Sequence, residues 1–392
     1  MRIELMRVVS TALMLSACAG CSGDGAGSSA RSTALSAANT SSNVAAQKAA
    51  SLAASSASGG SPGAQTGTPI SQPSGSINVA SYGAVGDGSI DNTGALQNAF
   101  NAAASVRQSV YIPTGTYNHS GTLWLNGVNV TGAGSQTVLL ATNPDEEAIK
   151  LGSNSTLSNI ETSTRALDRS SQPDAAAIDV TGSNDSVSYV TTLGAASNGI
   201  RLDGATGATI SSNLVEGTNA DGIALMNGSL NNFVASNEVY QAGDDSFSDD
   251  SYTFDSRQDS GNVFSHDFAL ANAYGRGFAL MGPTGDTIEN SVTDGSQWMG
   301  IVVGTDSNSR TMNGSNDTVS NNLIVNAKGD AVDVMNPGGS LSQSGAGMNI
   351  WGNSTSGSEA SVFGFTPATN LVDRYTITSY QPGTGDGSHN GS

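Results

Sequence analysis

The sequence predicts an all-β chain wound as a parallel β-helix and closed at its first end by a capping helix, on three observations. The first is composition. Of 392 residues 49 are Gly, while aromatics make up 5% and charged residues 12%. Few large apolar groups among many small polar ones suit a thin core built turn upon turn, and suit a helical bundle poorly. The second is a repeat. From about residue 145 a small or acidic residue, then Gly, Ala or Ser, then a large apolar residue recur together: Ala148-Ile149, Ala177-Ile178, Gly199-Ile200, Gly222-Ile223, Ser246-Phe247, Gly277-Phe278, Gly300-Ile301 and Ala331-Val332. The large residues stand 22 to 31 positions apart. The third is local patterning: short β-branched runs of period two, closed by Gly, Asn and Asp, mean strands and tight turns. A period near 22 to 24 with two such strands per repeat is one coil of a solenoid.

Taken in order, the chain begins with Met1-Arg2-Ile3-Glu4-Leu5-Met6-Arg7, the apolar run Val8 to Leu15, and Ser16-Ala17-Cys18. Two Arg, a short apolar core and small residues describe an export signal over 1–17, too short to span a bilayer. Leu15-Ser16-Ala17-Cys18 resembles the bacterial lipobox, which implies acylation of Cys18 and a membrane held through that lipid. Ala19 after the Cys points, by the same resemblance, to an outer-membrane lipoprotein facing periplasm or cell surface. Ordinary secretion, with an unimportant Cys18–Cys21 pair, is the alternative. These are the only cysteines, so the body holds neither an internal disulfide nor a Cys-based zinc site. Residues 18–76 are Ser, Ala and Gly with scattered Thr, Gln and Pro, which cannot bury enough apolar surface to order themselves. Such a tether spans roughly 40 Å. The β-helix is expected over 77–380, and 381–392 is expected to be a second unordered tail.

Within the coils a second apolar series runs Leu157, Val187, Ile210, Phe233, Val263, Ile288, Val319 and Met348. Coils stack ~4.8 Å apart, so equivalent residues form ladders with apolar ones inside. Asn213, Asn237, Asn290, Asn322 and Asn353 follow the second series and read as an amide ladder, with His266 taking the Asn place on its coil. No histidine is assigned to catalysis. Between the two series the gap is usually about ten residues, but it is 16 for 247 to 263, 18 for 301 to 319 and 16 for 332 to 348. These insertions leave one corner, so they should form a wall beside one face of the solenoid, or be tolerated surface loops.

The opening of the body is Ile77-Asn78-Val79-Ala80-Ser81-Tyr82-Gly83-Ala84-Val85-Gly86-Asp87-Gly88. It continues through Asp91-Asn92-Thr93 and an Ala-rich helix to Val110-Tyr111-Ile112-Pro113-Thr114-Gly115-Thr116-Tyr117. This resembles the pectate-lyase-like superfamily of right-handed parallel β-helices, in which the helix covers the open apolar end of the solenoid. The resemblance covers residues 77–117 and implies the fold, not a reaction.

Three successive coils carry a finer likeness. Asn219-Ala220-Asp221-Gly222-Ile223 and Gly243-Asp244-Asp245-Ser246-Phe247 resemble the Asn-Thr-Asp-Gly and Gly-Asp-Asp-Cys motifs of polygalacturonase-type glycoside hydrolases. Tyr274-Gly275-Arg276-Gly277-Phe278 sits where those carry Gly-His-Gly, and Met299-Gly300-Ile301 lacks their fourth motif. Counting back two places from each large apolar residue gives Asn198, Asp221, Asp245, Arg276 and Met299 as one column, provided the chain turns a corner there. Carboxylates stacked at ~5 Å cannot both ionise cheaply, so one becomes a general acid and another can activate water. The resemblance implies inversion, with Asp245 or Asp244 as acid and Asp221 helping to hold water.

The same residues admit a polysaccharide lyase. Asp221, Asp244, Asp245 and Asp249 would hold Ca²⁺ through oxygen ligands, Arg276 would remove the proton α to a uronate carboxylate, and Arg201 would hold the uronate. Asp249 occupies a slot filled by Leu202, Leu225, Leu280 and Val303 on other coils, so it either coordinates something or marks a bend. Tyr252, Tyr274 and Trp298 lie near the column as sugar-stacking or packing residues. A polysaccharide-cleaving enzyme is therefore expected, hydrolase ahead of lyase, with a non-catalytic carbohydrate-binding envelope lipoprotein as the other class. The formal charge of −19 excludes nucleic acid as a partner, because phosphate binding needs clustered Lys and Arg.

Overall fold

The computed structural model describes residues 62–335, apart from 165, 167, 173–174 and 307, together with 348–356 and 372–377. The signal segment, Cys18, the first part of the linker and the 381–392 tail lie outside the described residues. The body is a right-handed parallel β-helix. Among the described residues every named strand pairs parallel with the strand one coil away. One curved wall is a 20-stranded sheet and the other a nine-stranded sheet. The expected capping helix runs Thr93–Val106 and buries Leu96, Ala99, Phe100 and Ala103 on the first coil.

The nine-stranded sheet follows the repeat. Its strands Ile149–Leu151, Ile178–Val180, Ile200–Asp203, Ile223–Met226, Phe247–Asp250, Phe278–Met281, Ile301–Gly304 and Val332–Met335 each begin on the large apolar residue. All pair in register, Ile178 on Ile200 on Ile223 on Phe247 on Phe278 on Ile301 on Val332. Buried aliphatic side chains are each worth about 1.5–3 kcal/mol, and here they form one continuous core. At its centre Phe247 stacks on Phe278, with centroids 4.7 Å apart and planes 7° apart, and Phe264 meets both edge-on. Such contacts add ~0.5–1.5 kcal/mol beyond area burial. They also fix the spacing of the two coils that carry Asp245 and Arg276, two residues before the rings.

Three sequence expectations need correction. In the second series Val234 and Phe264 point inward and pair with Ile210 and Ile288, while Phe233 is 45% exposed. Because side chains alternate, a slip of one residue exchanges core and surface. Ile350, rather than Met348, is the register partner of Val319. The amide ladder holds for Asn213, Asn237, Asn322 and Asn353, each receiving a backbone N–H from the coil before. On the intervening coils the rungs are Asp267 and Ser291, since His266 and Asn290 adopt the left-handed conformation one residue earlier. A second buried ladder, unforeseen, runs Asp185, Asn232, Asn262, Asp286, Asp317 at another corner.

The expected unordered linker ends sooner than residue 76. Gly63 N donates to Ser212 O, Ser135 N to Gln65 O and Ile70 N to Ala133 O, while the Tyr111 hydroxyl donates to Ile70 O at 2.7 Å. Residues 62–76 thus lie along the body by backbone bonds, which need no large apolar side chains.

Candidate active site

The corner that the column requires is present, made by glycine after Asp221 and Arg276 and by the buried Ser246 after Asp245. A Cβ on Gly222 would run into the side chain of Val239 and stand 2.5 Å from Ser246 O; one on Gly277 would strike Thr293 and lie 2.6 Å from Gly300 O. Without side chains these residues press against the interior, and the residue before each is turned to the outer face of the nine-stranded sheet.

Asp221 Oδ1 accepts from Asp245 N at 3.0 Å, and its Oδ2 accepts from Ser248 Oγ at 3.1 Å, where Ser248 is an outward residue of its strand. Asp245 Oδ1 accepts from Arg276 N at 2.7 Å, and its Oδ2 pairs with Arg276 Nη1 at 3.0 Å. Asp244 Oδ2 pairs with Arg169 Nη1 at 3.0 Å. One carboxylate oxygen from each of Asp221, Asp244 and Asp245 lies within 4.8 Å of the others. Three consecutive coils are thereby tied through their acids.

Burial, then the charges of Asp245 and Asp244, push Asp221 up to about 8. Burial also raises Asp245, but there the Arg276 guanidinium pulls the other way. Arg276 is opposed by its own burial, yet Asp245, Asp250 and Asp244 outweigh that and hold it more firmly protonated. Like charges forced together in a site of low polarity separate into one protonated and one ionised group.

Of the residues singled out from sequence, Asp221, Asp244, Asp245 and Arg276 come together. Trp298 joins them, its ring 5.1 Å from the Arg276 guanidinium, and Tyr274 tilts against Trp298 at 5.3 Å. Tyr252 stands on the wall loop, raised by the charge of Asp250 and then by its own burial, and stacks on the exposed Phe254 at 5.0 Å. Asp249 does not join the site. It is fully buried in the core, where its Oδ2 accepts from Asn262 Nδ2 at 2.9 Å, so it cannot share a Ca²⁺ with the others. Strict alternation along Phe247–Asp250 sends Asp249 inward and Asp250 outward. Arg201 lies on the same outer face but earlier, held by Asp179 at 2.8 Å. A cation at Asp221, Asp244 and Asp245 would have to compete with the two arginines already on those oxygens, so the residues fit Ca²⁺ poorly.

Sequence reasoning missed Asp250, Ser248 and Arg169. Asp250 is the outward partner of Met226 and Met281, and burial with Asp221 and Asp245 raises it well above the usual range. Arg169 comes from an insertion after the strand Thr156–Ser163. The spacing of 29 between Ile149 and Ile178 signals that insertion, on the corner opposite the three noted. Those on the other side do form a wall: Tyr252 bridges Thr311 antiparallel, and Thr253 N donates to Arg310 O. The insertion 336–347 is outside the described residues.

A family described as "Rhamnogalacturonase A/epimerase, pectate lyase-like" matches residues 76–359. The chain belongs to this family. Solved structures agree on the fold. The catalytic unit of a thermostable GH87 α-1,3-glucanase from Streptomyces thermodiastaticus strain HF3-3 is 18% identical at a TM-score of 0.60, covering 82% of this chain and 72% of that one. The A-module of Azotobacter vinelandii mannuronan C-5 epimerase AlgE4 is 18% identical at 0.58, covering 78% and 98%. The catalytic domain of a GH87 α-1,3-glucanase in complex with nigerose is 19% identical at 0.56, covering 75% of this chain and 56% of that one. No curated protein matches the chain.

Proposed function

We propose that this protein hydrolyses glycosidic bonds of a polysaccharide lying along the outer face of the nine-stranded sheet. The observation that carries the reading is the cluster of Asp221, Asp244 and Asp245 with oxygens within 4.8 Å, turned outward between two loop walls. Its neighbours in the fold support a polysaccharide as partner, since they include a glucanase bound to nigerose and an epimerase of mannuronan.

The electrostatics support Asp221 as general acid, kept protonated at neutral pH. The two Arg276 contacts on the Asp245 carboxylate, working against the burial that raises it, support Asp245 as the ionised partner that activates water. This reverses the roles that the motif likeness implies. Arg276 holds Asp245 at two points and so positions it. A guanidinium whose pKa is raised is a poor proton acceptor, which sets the hydrolase ahead of the lyase. Incubation with neutral and uronic-acid polymers, with and without chelator, tests this. New reducing ends without an ultraviolet-absorbing product, unchanged by EDTA, are expected; an unsaturated product that EDTA abolishes would overturn the hydrolase.

The pH profile follows from the same assignment. Asp221 works only while protonated, so kcat is expected to fall as pH rises through about 8. A rate that instead climbs steadily across that range rules out Asp221 as the acid. The protein is further proposed to be exported and lipid-anchored through Cys18, on the Leu15-Ser16-Ala17-Cys18 pattern. Replacing Cys18→Ser is expected to move it from the membrane fraction to the soluble one; retention in the membrane would refute the anchor.

A further inference from the structure

On the first coil of the nine-stranded sheet, far from the acids, Trp124 stands outward between Leu123 and Leu125, which are buried in the core. Its side chain is 49% exposed. Its row in the sheet reads Trp124, Lys150, Asp179, Arg201, Ala224, Ser248, each the register partner of the next. That row reaches Ser248, whose hydroxyl donates to Asp221, before running on through Ala279. Five strand spacings separate Trp124 from Ser248, or ~24 Å.

The backbone of Trp124 is tied to the capping helix, and its ring is met by one cation. Its strand is the edge of the sheet, and Gln97 of the capping helix satisfies the open edge: Gln97 Oε1 accepts from Trp124 N at 2.9 Å and Nε2 donates to Trp124 O at 3.0 Å. The Lys150 ammonium lies 5.2 Å from the ring centroid. It is itself tied to Glu147 at 2.8 Å and Asp179 at 3.2 Å. An apolar ring held still loses little entropy when a flat ligand stacks on it.

We propose that Trp124 is a distal subsite for the polysaccharide and that this stretch takes uncharged sugar residues. The inference rests on the function proposed above and extends it. The charges of the row supply the specificity. Lys150 is matched by Glu147 and Asp179, and Arg201 by Asp179 and Asp203. Asp179 and Arg201 are buried, so the charged groups a ligand meets are Lys150, Glu147 and Asp203, which leave no spare cation for a uronate carboxylate but offer hydrogen-bond partners to the hydroxyl groups of a neutral sugar. The apolar face of a pyranose stacks on the exposed indole. A chain bound at both ends must span ~24 Å, so only long substrates gain from Trp124.

Affinity electrophoresis in soluble neutral glucans and in polygalacturonate, using the full chain carrying Asp245→Asn, reads binding without cleavage. The Asp245→Asn protein is expected to be retarded in neutral glucan and not in polygalacturonate. Adding Trp124→Ala is expected to weaken that retardation by roughly 3- to 30-fold, while Trp124→Phe keeps most of it. In the active protein Trp124→Ala is expected to lower kcat/KM on polymer and to leave it unchanged on a disaccharide or trisaccharide. Equal retardation with and without Trp124→Ala, or equal losses on short and long substrates, overturns the subsite alone. Retardation by polygalacturonate only overturns the neutral-sugar assignment. No cleavage by any variant, with retardation that still depends on Trp124, leaves the subsite standing and sinks the hydrolase.

Discussion

Replacing Asp245→Asn is expected to reduce kcat by roughly 10²- to 10⁴-fold, the range for removing a positioned acid or base. The fold should survive, because the large contacts of that coil are made by Phe247, two residues on and inside. The new amide keeps an oxygen for Arg276 N but sets an NH₂ against Arg276 Nη1, now 3.0 Å from Oδ2. Part of the loss therefore belongs to Arg276. Comparing Asp245→Asn, Arg276→Gln and the pair separates the contributions: residues acting as one unit give a double variant little worse than the worse single. Asp244→Asn is the contrast, since Asp244 holds the exposed Arg169 across a pair of the surface kind, worth about 0–1 kcal/mol. Initial rates on polymer, with thermal unfolding as a check on folding, decide the matter. If Asp245→Asn keeps wild-type kcat, the carboxylate does no chemistry and the hydrolase fails with it.

The coil repeat was legible because on the nine-stranded side each large apolar residue must stack on the last, so its spacing is written in the chain. On the other sheet, pairs such as Phe233-Val234 and Val263-Phe264 are apolar at both positions, and alternation could not say which faced in. The ladder shows a subtler ambiguity. Five rungs follow a residue in the left-handed conformation: Ser212 before Asn213, Ser236 before Asn237, His266 before Asp267, Asn290 before Ser291, Asn321 before Asn322. Asn suits both places, by tolerating positive φ and by offering an amide, so composition alone assigned Asn290 to the wrong one. In the site, counting back from the repeat found Asp221, Asp245 and Arg276. It missed Arg169, which meets Asp244 across 75 positions of sequence, because no local pattern encodes a pairing made by an insertion loop.

Folding stability is expected to be greatest near pH 4 and to fall by several kcal/mol as pH rises to about 8, because buried carboxyls fill the ladder and core. Burial raises Asp249, Asp267 and Asp317 well above the ordinary range, raises Asp286 as well, and lifts Asp259 to about 7 and Asp185 to about 6. A carboxyl with a raised pKa is still protonated in the folded chain when the unfolded chain has lost its proton. The folded state then binds more protons, so its advantage is complete below about 4 and disappears as pH climbs through each raised value. A tenfold difference in proton affinity between the folded and unfolded chain is worth about 1.4 kcal/mol. Asp91, lowered to about 2 by its bonds to Ser120 and Thr93, works in the opposite sense and only in acid. Asp267 isolates the cause. Its Oδ1 accepts from Asn237 N and Asn237 Nδ2, but its buried Oδ2 has no hydrogen-bond partner among the described residues. On the neighbouring coils the ladder amides donate to Val187 O, Ile210 O and Ile288 O, and Val234 is the register equivalent. By that register an amide at 267 would donate to Val234 O, which a carboxylate cannot do. Asp267→Asn is therefore expected to stabilise the protein by about 1–3 kcal/mol at pH 8, the cost of an unsatisfied buried group, and to change little at pH 4. Urea unfolding of both proteins across pH 4 to 8 measures the gap, and a gap that stays constant with pH would show that the carboxyl of Asp267 is not the group titrating.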